Sequence, residues 1–194
     1  MRMIWLRMLV ATGIASLSAS ALASGALEVS LRYPADGKGL RVDRGEGIIE
    51  VVLANRGPVS IDVSERSIPK PNRNGLLFDN FFDIRTDAGA RVSYLGIFVS
   101  WADIEGPYVR IRPGRELVLT VDMPTNYRLE PGGSYEVKLS PVRYLPRARD
   151  HYALYSFDEV HRLMQPAVPE RSLPLRIDER RADGAAGTRI GTRP

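Results

Sequence analysis

The sequence predicts an all-β protein, an antiparallel β-sandwich of about eight or nine strands with one short C-terminal helix. Three observations predict it. Short apolar/polar alternations recur along the chain, as in Leu27-Glu28-Val29-Ser30-Leu31. Turn residues separate them: Asp36-Gly37, Asn55-Arg56-Gly57-Pro58, Asp87-Ala88-Gly89, Pro113-Gly114 and Pro131-Gly132-Gly133. The stretch from Tyr127 to Leu139 combines a turn, a strand and a tyrosine in one unit. Pro131 fixes φ, the glycines after it are free to take φ > 0, and Tyr135, Val137 and Leu139 then share one face while Glu136 and Lys138 share the other.

Tyr135 stands two residues before an inward-facing position, where immunoglobulin-like sandwiches place the tyrosine of their corner. That inward position is Cys in antibody domains and is Val137 here. A buried Tyr135 needs a partner for its hydroxyl, and a backbone carbonyl upstream in the turn supplies a hydrogen bond worth about 1 kcal/mol net. A closed barrel is the alternative architecture; the tyrosine corner favours the sandwich.

In chain order, Leu27 to Tyr33 alternates as a half-buried strand, and Pro34 to Gly47 is loop. Ile48 to Ala54 is apolar on both faces, which predicts a central strand. Val59, Ile61 and Val63 alternate with Ser60 and Asp62. Ser64 to Asp79 lacks periodicity and holds Pro69, Pro71 and Asn74-Gly75, so it is a long loop of the kind that is often functional. Phe81 to Arg85 and Arg91 to Val99 follow as strands, with Gly96 marking a bulge. Ser100 to Pro107 is irregular. Tyr108 to Arg112 and Glu116 to Asp122 pair around Pro113-Gly114. Beyond Ser140 the pattern weakens until Ser156-Phe157-Asp158-Glu159, a capping box that starts a short helix over about 157 to 164. Leu173, Leu175 and Ile177 alternate in a closing edge strand, where Pro174 lacks the ladder donor.

The ends stand apart from this body. Met1 to Arg7 carries two arginines and no acid, Met8 to Leu17 is apolar, and Ala21-Leu22-Ala23 is an A-x-A cleavage pattern. Residues 1–23 are therefore expected to be a signal peptide, 24–178 the folded domain, and 179–194, rich in charge, Gly and Ala, a disordered tail. The apolar run is shorter than the roughly 20 residues of a spanning helix, so no membrane span is expected after cleavage. The expected location is periplasmic or secreted. The chain has no Cys, so disulfides contribute nothing and the core must supply the stability. A domain of about 150 residues buries about 70% of its unfolded surface, which suffices. Removing Arg2 and Arg7 with the leader lowers the formal charge from +4 to +2. Export and the lack of a basic stripe with stacking aromatics argue against nucleic acid as a partner.

Several segments together resemble a known module. They are Leu27 to Leu31, Val52 to Gly57, Leu77 to Ile84, Val92 to Gly96, Tyr108 to Gly114, Val121 to Met123 and Tyr127 to Leu129. In order and spacing they are similar to the non-catalytic β-sandwich module that precedes the catalytic domain of deuterolysin-like and peptidyl-Lys metalloendopeptidases, over roughly residues 27–140. Those peptidases hold zinc with H-E-x-x-H and complete the site with the Asp of G-T-x-D. This chain has neither motif, and Gly187-Thr188-Arg189-Ile190 puts Ile where that Asp would stand. The resemblance implies a non-catalytic protein-binding module with no cofactor. The implied partner is a protein, with an extracytoplasmic protease that the module inhibits, chaperones or targets as the leading candidate.

Candidate site residues follow from exposed aromatics and loop charges. Trp101 and Asp103 lie on the irregular segment beside Tyr108, and Arg73 lies in the long loop with Lys70 and Asn74; these are the candidate binding residues. Trp101 has the competing role of capping the end of the sandwich. Asp150, His151, Asp158, Glu159 and His161 form a loose cluster, but Glu159 and His161 fall on different helix faces, so no metal site is expected. A triad of Ser156 and His151 lacks an oriented base and an oxyanion hole, so no catalytic residue is assigned. Arg143, Arg147 and Arg149 are expected to be a solvated face. The alternative function is a module for cell-envelope polysaccharide, with arginines meeting acidic glycans; least favoured is a hydrolase with an unrecognised site.

Overall fold

The computed structural model describes residues 26–34, 46–99 and 107–179. The predicted leader, most of the predicted tail, and Trp101 and Asp103 lie outside the described residues. The strands in chain order are β1 (Leu27–Arg32), β2 (Ile48–Asn55), β3 (Ile61–Ser64), β4 (Phe82–Thr86), β5 (Tyr108–Ile111), β6 (Glu116–Asp122), β7 (Ser134–Leu139), β8 (Val142–Leu145), β9 (Gln165–Ala167) and β10 (Leu173–Arg176). Two short helices, α1 (Met123–Asn126) and α2 (Phe157–Leu163), and two 3-10 turns, Glu65–Ser67 and Arg149–Tyr152, join the strands.

The strands form three antiparallel sheets in the orders β1-β2-β6, β10-β7-β4 and β5-β3-β8-β9. The central position of β2 follows from its composition. Val51 to Asn55 are all buried because β1 covers one edge and β6 the other, with Leu53 opposite both Val29 and Leu117. In β7 the alternation runs as the sequence dictates: Tyr135, Val137 and Leu139 are buried, and Glu136 and Lys138 are exposed. β10 is an edge strand on β7, with Pro174 opposite Glu136. One hydrophobic core joins the sheets, drawing Ile49 and Leu53 from the first, Ile84 and Val137 from the second, and Ile61 and Val63 from the third. Each such fully buried aliphatic side chain stabilises the fold by roughly 1.5–3 kcal/mol. The Tyr33 hydroxyl donates to the Pro174 carbonyl, linking the end of β1 to the second sheet. The architecture is thus an all-β, sandwich-like fold with a short helix.

Four departures from the sequence reading have physical causes. Arg91 to Val99 is not a strand, because its backbone bonds go to successive partners instead of one ladder. Val92 N–H donates to Ile84, Leu95 N–H to Asn126 and Ile97 N–H to Leu77, and only isolated bridges form at Arg91 and Tyr94. Gly96 is not a bulge within a strand; a Cβ there would overlap the Tyr94 hydroxyl, which folds back over it. The strand around Val63 starts at Ile61, after the turn that ends at Ser60. β8, β9 and α1 are additional elements. They are three or four residues long and flanked or filled by Pro141, Pro146, Pro166 and Pro124, too short to show a period.

Candidate functional site

The long loop between β3 and β4 is a fixed wall, and two cavities open on it. Its first turn, Glu65–Ser67, is a 3-10 turn held from two sides. Ser67 Oγ accepts from the Arg143 N–H of β8 at 2.8 Å, and Glu65 N–H donates to the Pro107 carbonyl at 3.0 Å. Farther along, the Asn72 side chain accepts from the N–H groups of Asn74 and Leu76 at 2.9 and 3.0 Å, closing a turn with Arg73 exposed at its tip. The far end is pinned by Asn126 of α1, which is fully buried. Its Oδ1 accepts from Leu77 N–H at 2.8 Å, and its Nδ2 donates to Gly75 at 2.9 Å and to Asp122 at 3.0 Å. Tyr94 Oη donates to the Leu77 carbonyl at 2.7 Å, and Tyr127 Oη donates to Asn80 Oδ1 at 2.8 Å. Ile68 and Leu77 anchor the loop in the core.

An apolar cavity of about 400 Å³ opens among Ile68, Phe78, Phe81 and Pro107, with Lys70 and Arg73 at its margin. A second cavity, of about 380 Å³, is bordered by Ser67, Asp79, Tyr108, Arg143, Phe157 and His161. Arg66 and Phe81 belong to both walls. Both volumes fall within the roughly 300–1,000 Å³ of ligand pockets. The two walls carry four cationic side chains, Arg66, Lys70, Arg73 and Arg143, against two carboxylates, Glu65 and Asp79. Lys70 Nζ already reaches Glu65 at 3.2 Å, an exposed pair worth little by itself. Beneath the loop, burial and the nearby charge of Asp79 push the Tyr94 hydroxyl up to about 12, so it is a neutral donor at physiological pH. The arrangement is suited to gripping an apolar group beside an anionic one.

The candidate residues of the sequence divide accordingly. Arg73 borders the apolar cavity and Tyr108, opposite Ser64 in the third sheet, borders the polar one. Trp101 and Asp103 lie outside the described residues. Tyr135 lies away from both cavities; its hydroxyl accepts from Glu130 N–H at 2.7 Å in the turn and faces the Glu130 carbonyl at 3.4 Å. The loose cluster near residue 155 is divided among separate tasks. Asp150 pairs with Arg110 at 2.6 Å, Glu159 and Ser156 are consumed in the helix cap, and His151 packs edge-on against Tyr152. Among the described residues no group of three or more His, Asp or Glu side chains converges as a metal site, and no helix is long and apolar enough to cross a membrane. Sequence reasoning missed Arg143 and His161 as wall residues, having placed the first on a solvated face and the second in a weak metal cluster. β8 turns Arg143 outward between buried Val142 and Tyr144, in a run too short to have signalled this in the sequence.

No protein-family model matches the chain, and no curated protein does. Among solved structures, it is similar to a Northeast Structural Genomics Consortium target determined by X-ray crystallography, at 12% identity and a TM-score of 0.33, with the match covering 78% of this chain and 84% of the other.

Proposed function

We propose that the chain is an exported, non-catalytic β-sandwich module that binds another protein through the wall formed by Ser64 to Asp79. The partner in this reading is an extracytoplasmic protease, which the module inhibits, chaperones or targets. The observation that carries the reading is the fixed loop: Asn126, Ser67, Tyr94 and Tyr127 hold it in one conformation around two open cavities. Order already present in the free protein lowers the entropic cost of association. The A-x-A leader supports export, and the resemblance of residues 27–140 to the accessory module of metalloendopeptidases supports the class of partner. The apolar cavity of Ile68, Phe78 and Phe81 favours a protein over an acidic glycan, whose hydroxyls and carboxylates find few partners there.

The test is capture of partners by the mature chain, residues 24–194, from its own extracytoplasmic fraction, with bound proteins identified by mass spectrometry. Casein hydrolysis is assayed in parallel with and without a chelator. Recovery of a peptidase together with no proteolysis by the pure chain is expected. Chelator-sensitive proteolysis by the pure chain, or salt-sensitive retention on anionic polysaccharide with no protein captured, would overturn the reading.

A further inference from the structure

The paired cavities specify what kind of segment this surface takes. We infer that they form one two-part site for an extended acidic peptide, with an apolar side chain in the Ile68, Phe78 and Phe81 cavity and a neighbouring carboxylate facing Arg66 and Arg143. The inference rests on the protein-binding reading above and adds the chemistry of the segment bound.

Charge complementarity selects the occupant. Arg66 and Arg143 border the polar cavity, and Lys70 and Arg73 rim the apolar one, so an occupant meets cations on both sides of the Phe81 divide. Arg143 is exposed, while its backbone N–H is held by Ser67 Oγ; its guanidinium projects from a fixed strand. Such a group makes bidentate, charge-assisted bonds with a carboxylate, about twice the strength of neutral ones. Asp79 on the same wall rejects a second carboxylate placed toward it, which sets a preferred position for the acid. The apolar cavity supplies what a free anion or a bare polyanion cannot use, a place where an aromatic or branched side chain is removed from water. Because the cavities share a wall, one extended segment reaches both: side chains i and i+2 lie on one face about 7 Å apart.

The experiment uses fluorescence anisotropy with the chain of residues 24–194. The probe is a labelled hexapeptide carrying one phenylalanine with a glutamate two residues to either side of it, the intervening and remaining positions being glycine and serine. Two control peptides replace the glutamates by lysines or the phenylalanine by alanine. Expected are saturable binding of the first peptide, at least tenfold weaker binding of the lysine peptide, and at least fivefold weaker binding of the alanine peptide. Arg143→Glu and Arg73→Glu should each weaken the first peptide at least tenfold without lowering the melting temperature, since both side chains are exposed. Absence of binding by the wild-type chain, equal binding of the glutamate and lysine peptides, or indifference to both substitutions would overturn the inference. So would self-association of the wild-type chain abolished by Arg143→Glu, which would assign the surface to a second copy. Capture of the natural partner by the two variants as well as by wild type would remove this inference and leave the binding-module reading standing. Peptide binding with the predicted specificity but no captured partner would uphold the site and remove that reading.

Discussion

Asn126 shows how one buried amide fixes a functional surface. Two of its three side-chain hydrogen bonds join α1 to the loop at Gly75 and Leu77, the third closing on Asp122 at the start of α1, and Asn126→Ala leaves the Leu77 N–H unpaired in the interior. A buried donor without a partner costs about 1–3 kcal/mol, so the variant should lose about 2–3 kcal/mol in denaturant unfolding. Its loop amides should also exchange faster with solvent; an unchanged midpoint would show that the loop is held by its apolar anchors alone. Gly133 and Tyr135 are coupled at the same scale, because a Cβ on Gly133 would overlap the Tyr135 hydroxyl. Two other tyrosines report on high pH. Burial pushes the Tyr127 hydroxyl well above the ordinary phenol range, and burial with Asp79 pushes Tyr94 up to about 12. A raised folded-state value means that the neutral phenols contribute stability fully below the unfolded value of about 10, and that this stability is lost as pH rises through the folded value. Absorbance at 295 nm should therefore show Tyr94 and Tyr127 ionising late and together with unfolding. Titration of all eight tyrosines near pH 10 in the folded protein would contradict this.

At the scale of elements, α2 depends on its first turn more than on its length. Ser156 Oγ accepts from Glu159 N–H, and the Glu159 carboxylate accepts from Ser156 N–H at 2.8 Å, so the seven-residue helix begins with a reciprocal cap. Ser156→Ala should cost about 1 kcal/mol. The hydrogen bonds from Ser156 hold the Glu159 carboxyl below its usual range. The stability it contributes is present above its unfolded value and is lost as pH falls through the folded value. Far-UV circular dichroism should register fraying of α2 at acid pH in the wild-type chain and a smaller acid-induced change in Ser156→Ala. A second joint is the buried carboxylate of Asp62 in β3. It accepts two bonds from Arg110 of β5 at 2.9 and 3.1 Å and one from Arg149 N–H at 2.5 Å, binding two strands and the 3-10 turn Arg149–Tyr152 together. Arg110 is half exposed, so solvent screens much of the charge term. Asp62→Ala should destabilise by about 2 kcal/mol, chiefly through the unpaired Arg149 N–H. Melting temperatures of Asp62→Ala and Arg110→Ala separate this from simple loss of charge, the second being the milder.

For the whole molecule, a core shared by three sheets predicts cooperative loss of structure. Leu53 is fully buried in the middle strand of the first sheet and belongs to the same cluster as Val137 and Val63 of the other two. Leu53→Ala should cost about 2–5 kcal/mol. Tyrosine fluorescence and far-UV circular dichroism should still follow one coincident transition, whereas two transitions would divide the core. Much of this architecture was legible in the residues. The β2 run was apolar on both faces because β1 and β6 flank it, the Tyr135 alternation marked an inward face, and Ser156 with Glu159 announced α2. Local chemistry determines such features, since each is set by the period or cap of a few adjacent residues. The site was legible only in fragments: Arg73 and the long loop stood out, Arg143 and His161 did not. Leu77, Tyr94, Asn126 and Tyr127 gave no sign of meeting, and Arg91 to Val99 read as a strand although its bonds are dealt to several segments. By itself the sequence determined the β class, most strands and the capped helix. Only the tertiary structure decided that a proline-broken loop is a fixed wall beside two cavities, because the groups that hold it are up to 76 residues away in sequence and meet only when the sheets pack.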